Sequence, residues 1–276
     1  MRIIPIDEAT ILRLTGDDSV SVLNNLCTND LTRLATGDSC EAFITNLKGW
    51  VVGHVVALRT GNGMDLFGLG SFGEAAIAHM DRYVIREDVQ FEDLSREHRI
   101  LLAEATIPAS LSGSVRELGI SIGDWRLCTT DTYGASTMES ESEVEVLSDA
   151  FDSVRIQAFW PRLGHEIGEK TLPQELMRDD VAISFTKGCY LGQETIARLD
   201  ARGQLQKQLC LLAAQNTEKL PSGEIQNESG KVVGQVTSAC TSDASSFALA
   251  FIKRGNNEPG TKLTISGAEF TVSATA

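Results

Sequence analysis

One stretch constrains the local structure of this chain more than any other: residues 186 to 203 read TKGCYLGQETIARLDARG. Gly188 and Gly192 flank a Cys-Tyr pair, and glycine permits tight turns and the close approach of a second chain segment. From Gln193 onward the composition favours a helix, and Gly203 is suited to the C-terminal cap of that helix. The stretch is therefore predicted to form a glycine-bounded turn followed by a short helix.

The predicted helix carries its charged residues on one face. Glu194, Arg198 and Arg202 are four residues apart, with the acid towards the N-terminus, which is the favourable order. Together with Lys187 and the free N–H groups of the helix start, these arginines would attract an anion. By spacing alone, the same ladder also suits an ordinary solvated helix. Cys189 is compatible with a buried, inert thiol, or with a reactive thiol whose pKa is lowered by Lys187.

The net charge of the chain, and the spacing of its histidines and cysteines, argue against a nucleic-acid partner and against a metal site. The 276-residue chain carries a net charge of −14 at pH 7. Broad binding to nucleic acid needs a basic face that neutralises phosphates, so no nucleic-acid partner is expected. The four histidines and six cysteines contain no HxxxH or CxxC pair. A metal site built by the protein itself is therefore not expected.

The N-terminus and the apolar runs bear on location. Residues 1 to 8 contain one basic residue, a broken apolar run and two acids, which fits neither a secretory signal nor an Arg-rich transit peptide. The longest apolar runs fall far short of a bilayer span. A cytoplasmic protein without a membrane partner is expected.

Hydrophobic patterning predicts an α+β fold followed by an all-β region. In the first part, a helix is expected after Asp18 and another over residues 74–83, with Ala75, Ala78 and, less regularly, Tyr83 on the apolar side of the second. Between residues 127 and 154, the alternating acids at 139, 141, 143 and 145 indicate a solvated face or loop. Beyond residue 205, short β runs separated by turns predict a small barrel. The expected strands, in chain order, cover residues 11–14, 43–45, 50–58, 64–69, 99–103, 209–213, 231–237, 247–252 and 262–265.

The segment KGCYLGQE, followed by Ala-Arg and Arg-Gly, resembles the signature of the YgfZ branch of the folate-binding aminomethyltransferase (glycine-cleavage T-protein) superfamily. Further stretches agree with that family in the same order, so the similarity extends over almost the whole chain. These stretches are Thr28-Asn29-Asp30, Asn46-Leu47-Lys48-Gly49, the sequence VRIQAFWPRLGHEI at 154–167, and Gly234-Gln235-Val236-Thr237-Ser238.

The resemblance implies a ring of three domains around a central channel that holds tetrahydrofolate or a derivative, polyglutamylated forms included. Residues 1–203 would form a bilobal folate-binding region with a subdomain inserted at about 15–115, and residues 204–276 would form the C-terminal β-barrel. It also implies a link to the assembly or repair of iron–sulfur clusters. The expected partners are thus folate and iron–sulfur assembly factors or client enzymes.

The resemblance also implies roles for individual residues. Cys189 is the expected functional thiol, with Lys187 beside it. The expected folate-binding residues are Gln157, Tyr190, Gln193, Glu194, Arg198 and Arg202.

Departures from the family pattern separate the possible functions. Gly53 and His54 stand where T-proteins carry acids, Gln157 replaces the glutamate that pairs with the pterin ring, and Phe159 replaces a glycine. An amide accepts hydrogen bonds only through its oxygen, so pterin recognition would be weaker or differently arranged. The leading hypothesis is a folate-binding accessory protein without T-protein activity. The alternatives are a tetrahydrofolate-dependent one-carbon transferase or demethylase that uses His54 or Asp30, and a scaffold that has lost the ligand.

Overall fold

The computed structural model describes residues 1–104, 107, 115–131, 144–203, 205–215, 222–242 and 245–274. Most of the predicted acidic segment, including the acids at 139, 141 and 143, lies outside these described residues.

The first sheet gathers strands from distant parts of the chain. Its five strands follow the order β10-β1-β7-β9-β8, and all neighbours are antiparallel except the parallel pair of β1 and β10. The N-terminal strand therefore lies between a strand near residue 100 and one near residue 145. The members are β1 (Arg2–Ile6), β7 (His98–Ala103), β8 (Val115–Ile122), β9 (Trp125–Asp131) and β10 (Glu145–Val146).

The second sheet is antiparallel, with the strand order β3-β4-β5-β2-β6. The strands predicted in this part of the chain are all present. Two helices, α1 (Ser19–Leu26) and α2 (Gly73–Asp81), pack on one face of the sheet. The strands are β2 (Ala9–Thr15), β3 (Ser39–Thr45), β4 (Val51–Thr60), β5 (Gly63–Leu69) and β6 (Gln90–Asp93).

Both faces of the second sheet are buried, which explains the long apolar runs of its strands. In β4, Val55 and Ala57 face the helices, whereas Val56 and Leu58 join an apolar layer shared with the first sheet. Successive side chains of a strand point to opposite faces, so a strand covered on both sides is apolar at most of its positions.

Helix α2 was predicted correctly, but its buried face was not. Ala76 and Met80 are buried, while Ala75 and Ala78 are exposed; of the predicted apolar side, Tyr83 packs partly against the core. Ala76 and Met80 are four residues apart and share a face. The larger apolar side chain of Met80 decides which face packs on the sheet, because it removes more surface from water than an alanine does.

The C-terminal region is a closed six-stranded barrel in the order β11-β14-β13-β12-β15-β16. The predicted barrel and its four predicted strands are thereby confirmed. Its interior is filled by side chains such as Leu212, Ile225, Ala250 and Phe270. The strands are β11 (Lys207–Gln215), β12 (Glu224–Gln226), β13 (Val232–Ser242), β14 (Ser245–Lys253), β15 (Lys262–Ile265) and β16 (Ala268–Ala274).

Short helices connect the sheets to the barrel, and a single apolar cluster holds these parts together. The connecting helices are α3 (Phe151–Gln157), the 3-10 helix Pro173–Leu176, α4 (Asp179–Ala182) and α5 (Gln193–Arg202); a 3-10 helix over Leu31–Arg33 follows α1. We call the apolar cluster the central cluster. Its members include Phe43, Val51, Ile156, Phe159, Ile167, Tyr190, Ile196, Leu209 and Leu249. Each of the predicted motif regions around 46–54, 154–167 and 187–194 contributes to it.

Among the described residues, no helix has the length and apolar character needed to cross a membrane. The second sheet draws its strands from residues 9–93, and the proposed domain division at 203/204, with an insertion at about 15–115, stays a prediction.

Candidate functional site

The KGCYLGQE segment has the predicted local structure. Gly192 adopts a left-handed conformation at φ 81° immediately before α5, and Gly203 adopts the same conformation at φ 57° immediately after it. The Gly203 N–H closes the helix by donating to the carbonyls of Leu199 and Asp200. Glycine takes this conformation without the steric cost that a side chain adds, which is why both helix ends could be predicted.

The turn at Gly192 packs directly on the turn at 46–49. A Cβ on Gly192 would lie 2.4 Å from the carbonyl oxygen of Asn46, and a Cβ on Gly49 would lie 3.0 Å from the Cβ of Thr195. The Thr45 hydroxyl donates to the carbonyl of Leu191 at 2.7 Å. The two glycine turns thus approach each other at backbone distance, and this joins the second sheet to the start of α5.

We expect Gly192→Ala to lower the free energy of unfolding by about 2 kcal/mol, because the new Cβ adds left-handed strain and overlaps the Asn46 carbonyl. Urea unfolding measures this change. Gly188→Ala is the matched control in the same motif, since nothing lies within 4 Å of a Cβ at that position. Equal stability of the two variants would contradict the close packing of the turns.

Lys187 holds the motif to the end of α1 and to the Thr28-Asn29-Asp30 segment. Its buried ammonium donates to the carbonyls of Asn24 at 2.7 Å, Cys27 at 3.0 Å and Asn29 at 2.5 Å. These three bonds use all the donors of a lysine side chain. Burial lowers the pKa of Lys187. No hydrogen bond joins Lys187 to the Cys189 thiol, although both residues are described, so the geometry makes Lys187 a positioning residue for the turn.

Cys189 is solvent-exposed on this turn, in contrast to the other cysteines. Burial raises the pKa of each of the other five thiols, to about 12 for Cys40, Cys128 and Cys210. All six cysteines lie within the described residues. Cys189 is therefore the most accessible of the six thiols to a partner or a reagent in solution, ahead of the partly exposed Cys40.

The predicted charged face of α5 is present. Arg198 donates to Glu194 at 2.6 Å, and both side chains are exposed. The side chain of Arg202 lies outside the described part of the structure. Gln193 is half-buried at the first position of the helix, and its N–H donates to the Tyr190 carbonyl at 3.2 Å.

Tyr190 points inward rather than towards solvent. Its side chain belongs to the central cluster, and its ring lies 5.2 Å from the Lys187 ammonium. Burial raises the pKa of the Tyr190 hydroxyl to about 12. Tyr190 thus anchors the turn on which Cys189 is exposed.

Gln157 lies at the end of α3, where its amide nitrogen donates to the carbonyl and the hydroxyl of Ser153 at 3.1 and 3.0 Å. The side chain is exposed. Nearby, Phe159 has φ 57° and packs in the central cluster. A backbone conformation that glycine adopts freely is therefore carried here by a bulky residue, which costs about 1 to 3 kcal/mol.

The positions that replace the T-protein acids are filled by packed residues. A Cβ on Gly53 would lie 2.6 Å from the ring of Phe72. His54 is buried, with Nε2 2.8 Å from the Glu41 carboxylate and Nδ1 3.4 Å from the Pro161 carbonyl. Neither position therefore presents a free base.

Asp30 acts as the cap of the 3-10 helix Leu31–Arg33. Its carboxylate accepts from the N–H and hydroxyl of Thr32 and pairs with Arg33 at 2.9 Å. These contacts lower the pKa of Asp30, with the Thr32 hydroxyl as the largest cause, opposed in part by desolvation. The geometry therefore fits Asp30 as a helix cap better than as a catalytic base.

Two buried charge networks beside the motifs were not predicted. In one, Glu41 pairs with both Arg178 and His54. In the other, Arg155 pairs with Glu166 at 3.0 Å, both side chains being fully buried. Arg155 and Glu166 stand in the recognised 154–167 stretch, but the sequence contains no signal that pairs them with each other.

No protein-family model matches the chain. The tRNA-modifying protein YgfZ of Aliivibrio fischeri strain MJ11 is 25% identical over 237 residues, covering 79% of this chain and 73% of that protein. The tRNA-modifying protein YgfZ of Cronobacter sakazakii is 23% identical over 286 residues, covering 95% and 87%.

A solved structure shares the fold of this chain. The glycine cleavage system aminomethyltransferase T from Bartonella henselae matches with a TM-score of 0.79 at 14% identity, over 99% of this chain and 85% of that one. The predicted T-protein-like α+β fold with its C-terminal barrel is therefore confirmed. Over most of its length the chain is thus similar in sequence to YgfZ proteins, and it shares the fold of the aminomethyltransferase T structure.

Proposed function

We propose that the protein binds tetrahydrofolate or a derivative, polyglutamylated forms included, and serves as an accessory protein in the assembly or repair of iron–sulfur enzymes. The observation that carries the proposal is the Cys189 thiol, exposed on a turn that Lys187 and Gly192 hold in place. The thiolate form of cysteine binds metal and reacts as a nucleophile. A thiol on such a turn meets a partner without rearrangement of the fold.

The polar groups near the motifs fit folate in part. The Gln157 amide nitrogen is directed to Ser153, which leaves its oxygen to accept one pterin N–H. A carboxylate would accept two such bonds, so the fit is weaker than in a T-protein. Arg198 bonds Glu194 through one nitrogen and has further donors for the carboxylate tail of folate. We propose that Tyr190, Gln193 and Arg202 also contribute to the folate-binding site.

Tetrahydrofolate, when bound, would supply a carrier for a one-carbon unit. His54 and Asp30, the two residues considered as a base, give little help to a transfer reaction. Both ring nitrogens of His54 lie near buried acceptors, and Asp30 is a helix cap. General base catalysis requires a base within hydrogen-bond reach of the proton to be removed. We therefore assign the protein a binding and accessory role rather than aminomethyl transfer.

The iron–sulfur role requires a partner. Clusters are usually held by several cysteine thiolates, and Cys189 supplies one. Client enzymes or assembly factors would supply the others. The related proteins are named for tRNA modification. Because this chain carries a net charge of −14, we propose that any part it takes in tRNA modification runs through a protein client instead of direct contact with RNA.

In a bacterial strain that lacks its own YgfZ-type protein, we expect Cys189→Ala to restore about fivefold less iron–sulfur enzyme activity than the wild-type chain does, because a cluster ligand is lost. The specific activity of an iron–sulfur dehydratase in extracts measures this effect. Cys40→Ala is the matched control, since burial raises the pKa of that thiol to about 12, and it should complement like wild type. Full complementation by Cys189→Ala would refute the role of the thiol.

Titration calorimetry with tetrahydrofolate tests the folate part separately. Heat of binding from the wild-type chain and from Cys189→Ala is expected, because the thiol is not among the proposed folate contacts. If no heat develops at high ligand concentration, folate binding is wrong and the scaffold alternative remains.

A further inference from the structure

A cavity of about 420 Å³ lies at the far end of α5 from Cys189, between that helix, the 3-10 helix Pro173–Leu176 and the barrel. Neither Cys189 nor any other residue of the KGCYLGQE segment lines it. A volume of this size suits a small molecule. Its polar lining among the described residues includes Gln174, Asp179, Asp200, Arg254, Asn257 and Glu258.

Two oxygen acceptors in this wall have no donor among the described residues. Gln174 is 3% exposed, and its Oε1 has no hydrogen-bond partner. Its Nε2 donates to the Ile196 carbonyl at 2.7 Å, and this bond fixes the orientation of the amide, because exchanging the two ends would set oxygen against oxygen. The Oδ1 of Asp179 is also buried without a partner. The wall therefore offers acceptors that call for an N–H or O–H donor.

The charges of the wall favour a cation. Three acids, Asp179, Asp200 and Glu258, face one base, Arg254, among the described lining residues. The C-terminal end of α5 also lines the cavity, through Leu199, Asp200 and Gly203. The negative end of the helix dipole adds to the attraction for positive charge.

The chemistry of the wall favours an organic cation over a metal ion. In the described part of the chain, no three histidines, cysteines or acids form a group that could hold a metal. An amide oxygen beside a carboxylate is instead matched by a group with several N–H donors, as in a primary ammonium or a guanidinium.

We propose that this cavity binds a small organic cation with N–H donors, held by Asp179 and Gln174. Asp200 and the end of α5 attract the charge, and Arg254 with Glu258 form the opposite rim. The site is independent of the folate and iron–sulfur roles proposed for the turn at Cys189.

Titration calorimetry with agmatine, a dication at pH 7.5, tests the proposal, with 1,4-bis(trimethylammonio)butane as a dication that has no N–H donor. Agmatine should bind and the bis-quaternary dication should bind at least about tenfold more weakly, because charge alone does not satisfy the two acceptors. Asp179→Asn should weaken agmatine binding by about tenfold. Asp180→Asn, the same charge change at an exposed neighbour that does not line the cavity, should leave binding close to wild type.

The pH dependence supplies a second readout. Burial raises the pKa of Asp179 to about 6, helped by the charges of Asp180 and Asp200; Glu258 and Arg254 are the charged groups on the opposite rim. Agmatine binding should therefore weaken by about tenfold between pH 7.5 and pH 5. If Asp179→Asn fails to fold, Asp200→Asn should still weaken binding severalfold. Absence of agmatine binding, or equal binding of the bis-quaternary dication, would overturn the proposal.

Discussion

Glu166→Gln is expected to lower the free energy of unfolding by about 3 kcal/mol, because it removes the buried counter-charge of the Arg155 guanidinium and leaves only the half-exposed Asp152 beside it. Both side chains are fully buried. The carboxylate of Glu166 also accepts from the Arg162 N–H at 3.0 Å and from the hydroxyls of Thr237 and Ser238 at 2.8 and 2.6 Å. An amide can keep much of this set, since its oxygen can accept from Arg155 and Arg162 and its nitrogen can donate to the two hydroxyls, so the expected loss comes from the missing charge.

The pair matters because it joins two parts of the chain. Arg155 lies on α3, and it donates to Ser238 of barrel strand β13 at 2.7 Å. Glu166 accepts from the same serine, 72 residues away in sequence. Loss of the charge at 166 therefore weakens the attachment of the barrel as well as the local loop.

Urea unfolding of Glu166→Gln, compared with Glu169→Gln, measures the effect. Glu169 is exposed on the same segment, so its replacement changes the net charge equally and should cost within about 0.5 kcal/mol. The double variant Arg155→Met/Glu166→Leu removes both charges and should be more stable than either single variant. If Glu166→Gln lowers the free energy of unfolding by less than about 1 kcal/mol, other groups around Arg155 stabilise its charge and the prediction is wrong.

Features that depend on short stretches of sequence could be predicted. The strands and the barrel follow from alternating apolar residues and turn chemistry, and the ends of α5 follow from Gly192 and Gly203, which adopt the left-handed conformation in the structure. The Glu194–Arg198 pair follows from the four-residue spacing of a helix face. In each case, the physical cause lies within a few residues.

Features that depend on distant contacts could not be predicted. The ammonium of Lys187 donates to the carbonyls of residues 24, 27 and 29, about 160 positions earlier in the chain. The nearness of Cys189 in sequence therefore does not indicate what Lys187 binds. The buried face of α2 was misjudged for the same reason, because the sheet beneath it selects Ala76 and Met80. Backbone carbonyls also leave no mark in a sequence, since every residue has one.

The Glu41 network is a further feature of this kind, and it predicts acid sensitivity. Glu41 on β3 pairs with Arg178 next to α4 and with His54 on β4. Burial alone would raise the pKa of Glu41, but the hydrogen bonds and charges of Arg178 and His54 outweigh it and lower the pKa from 4.5 to about 2. The Arg178 guanidinium also stacks 4.5 Å from the ring of Trp160, which keeps it beside the carboxylate.

A depressed carboxyl pKa stabilises the folded state above the unfolded pKa and loses that contribution as the pH falls towards the folded value. For Glu41, the contribution should be complete above about pH 4.5, amount to about 3 kcal/mol, and disappear between about pH 4.5 and pH 2. Glu41→Gln should therefore lower the free energy of unfolding by about 3 kcal/mol at pH 7, and by progressively less as the solution is acidified.

Urea unfolding at a series of pH values from 7 down to 2.5 measures both predictions in one data set. Glu74→Gln, at an exposed acid of α2, is the matched control and should keep the steep wild-type dependence on pH. The diagnostic quantity is the difference in unfolding free energy between wild type and Glu41→Gln, which should shrink on acidification because protonation removes the wild-type charge that the variant already lacks. A difference that stays constant over the whole range would show that the substitution acts through packing around His54 and Phe43, whose rings stack at 4.9 Å, and not through the charge of Glu41.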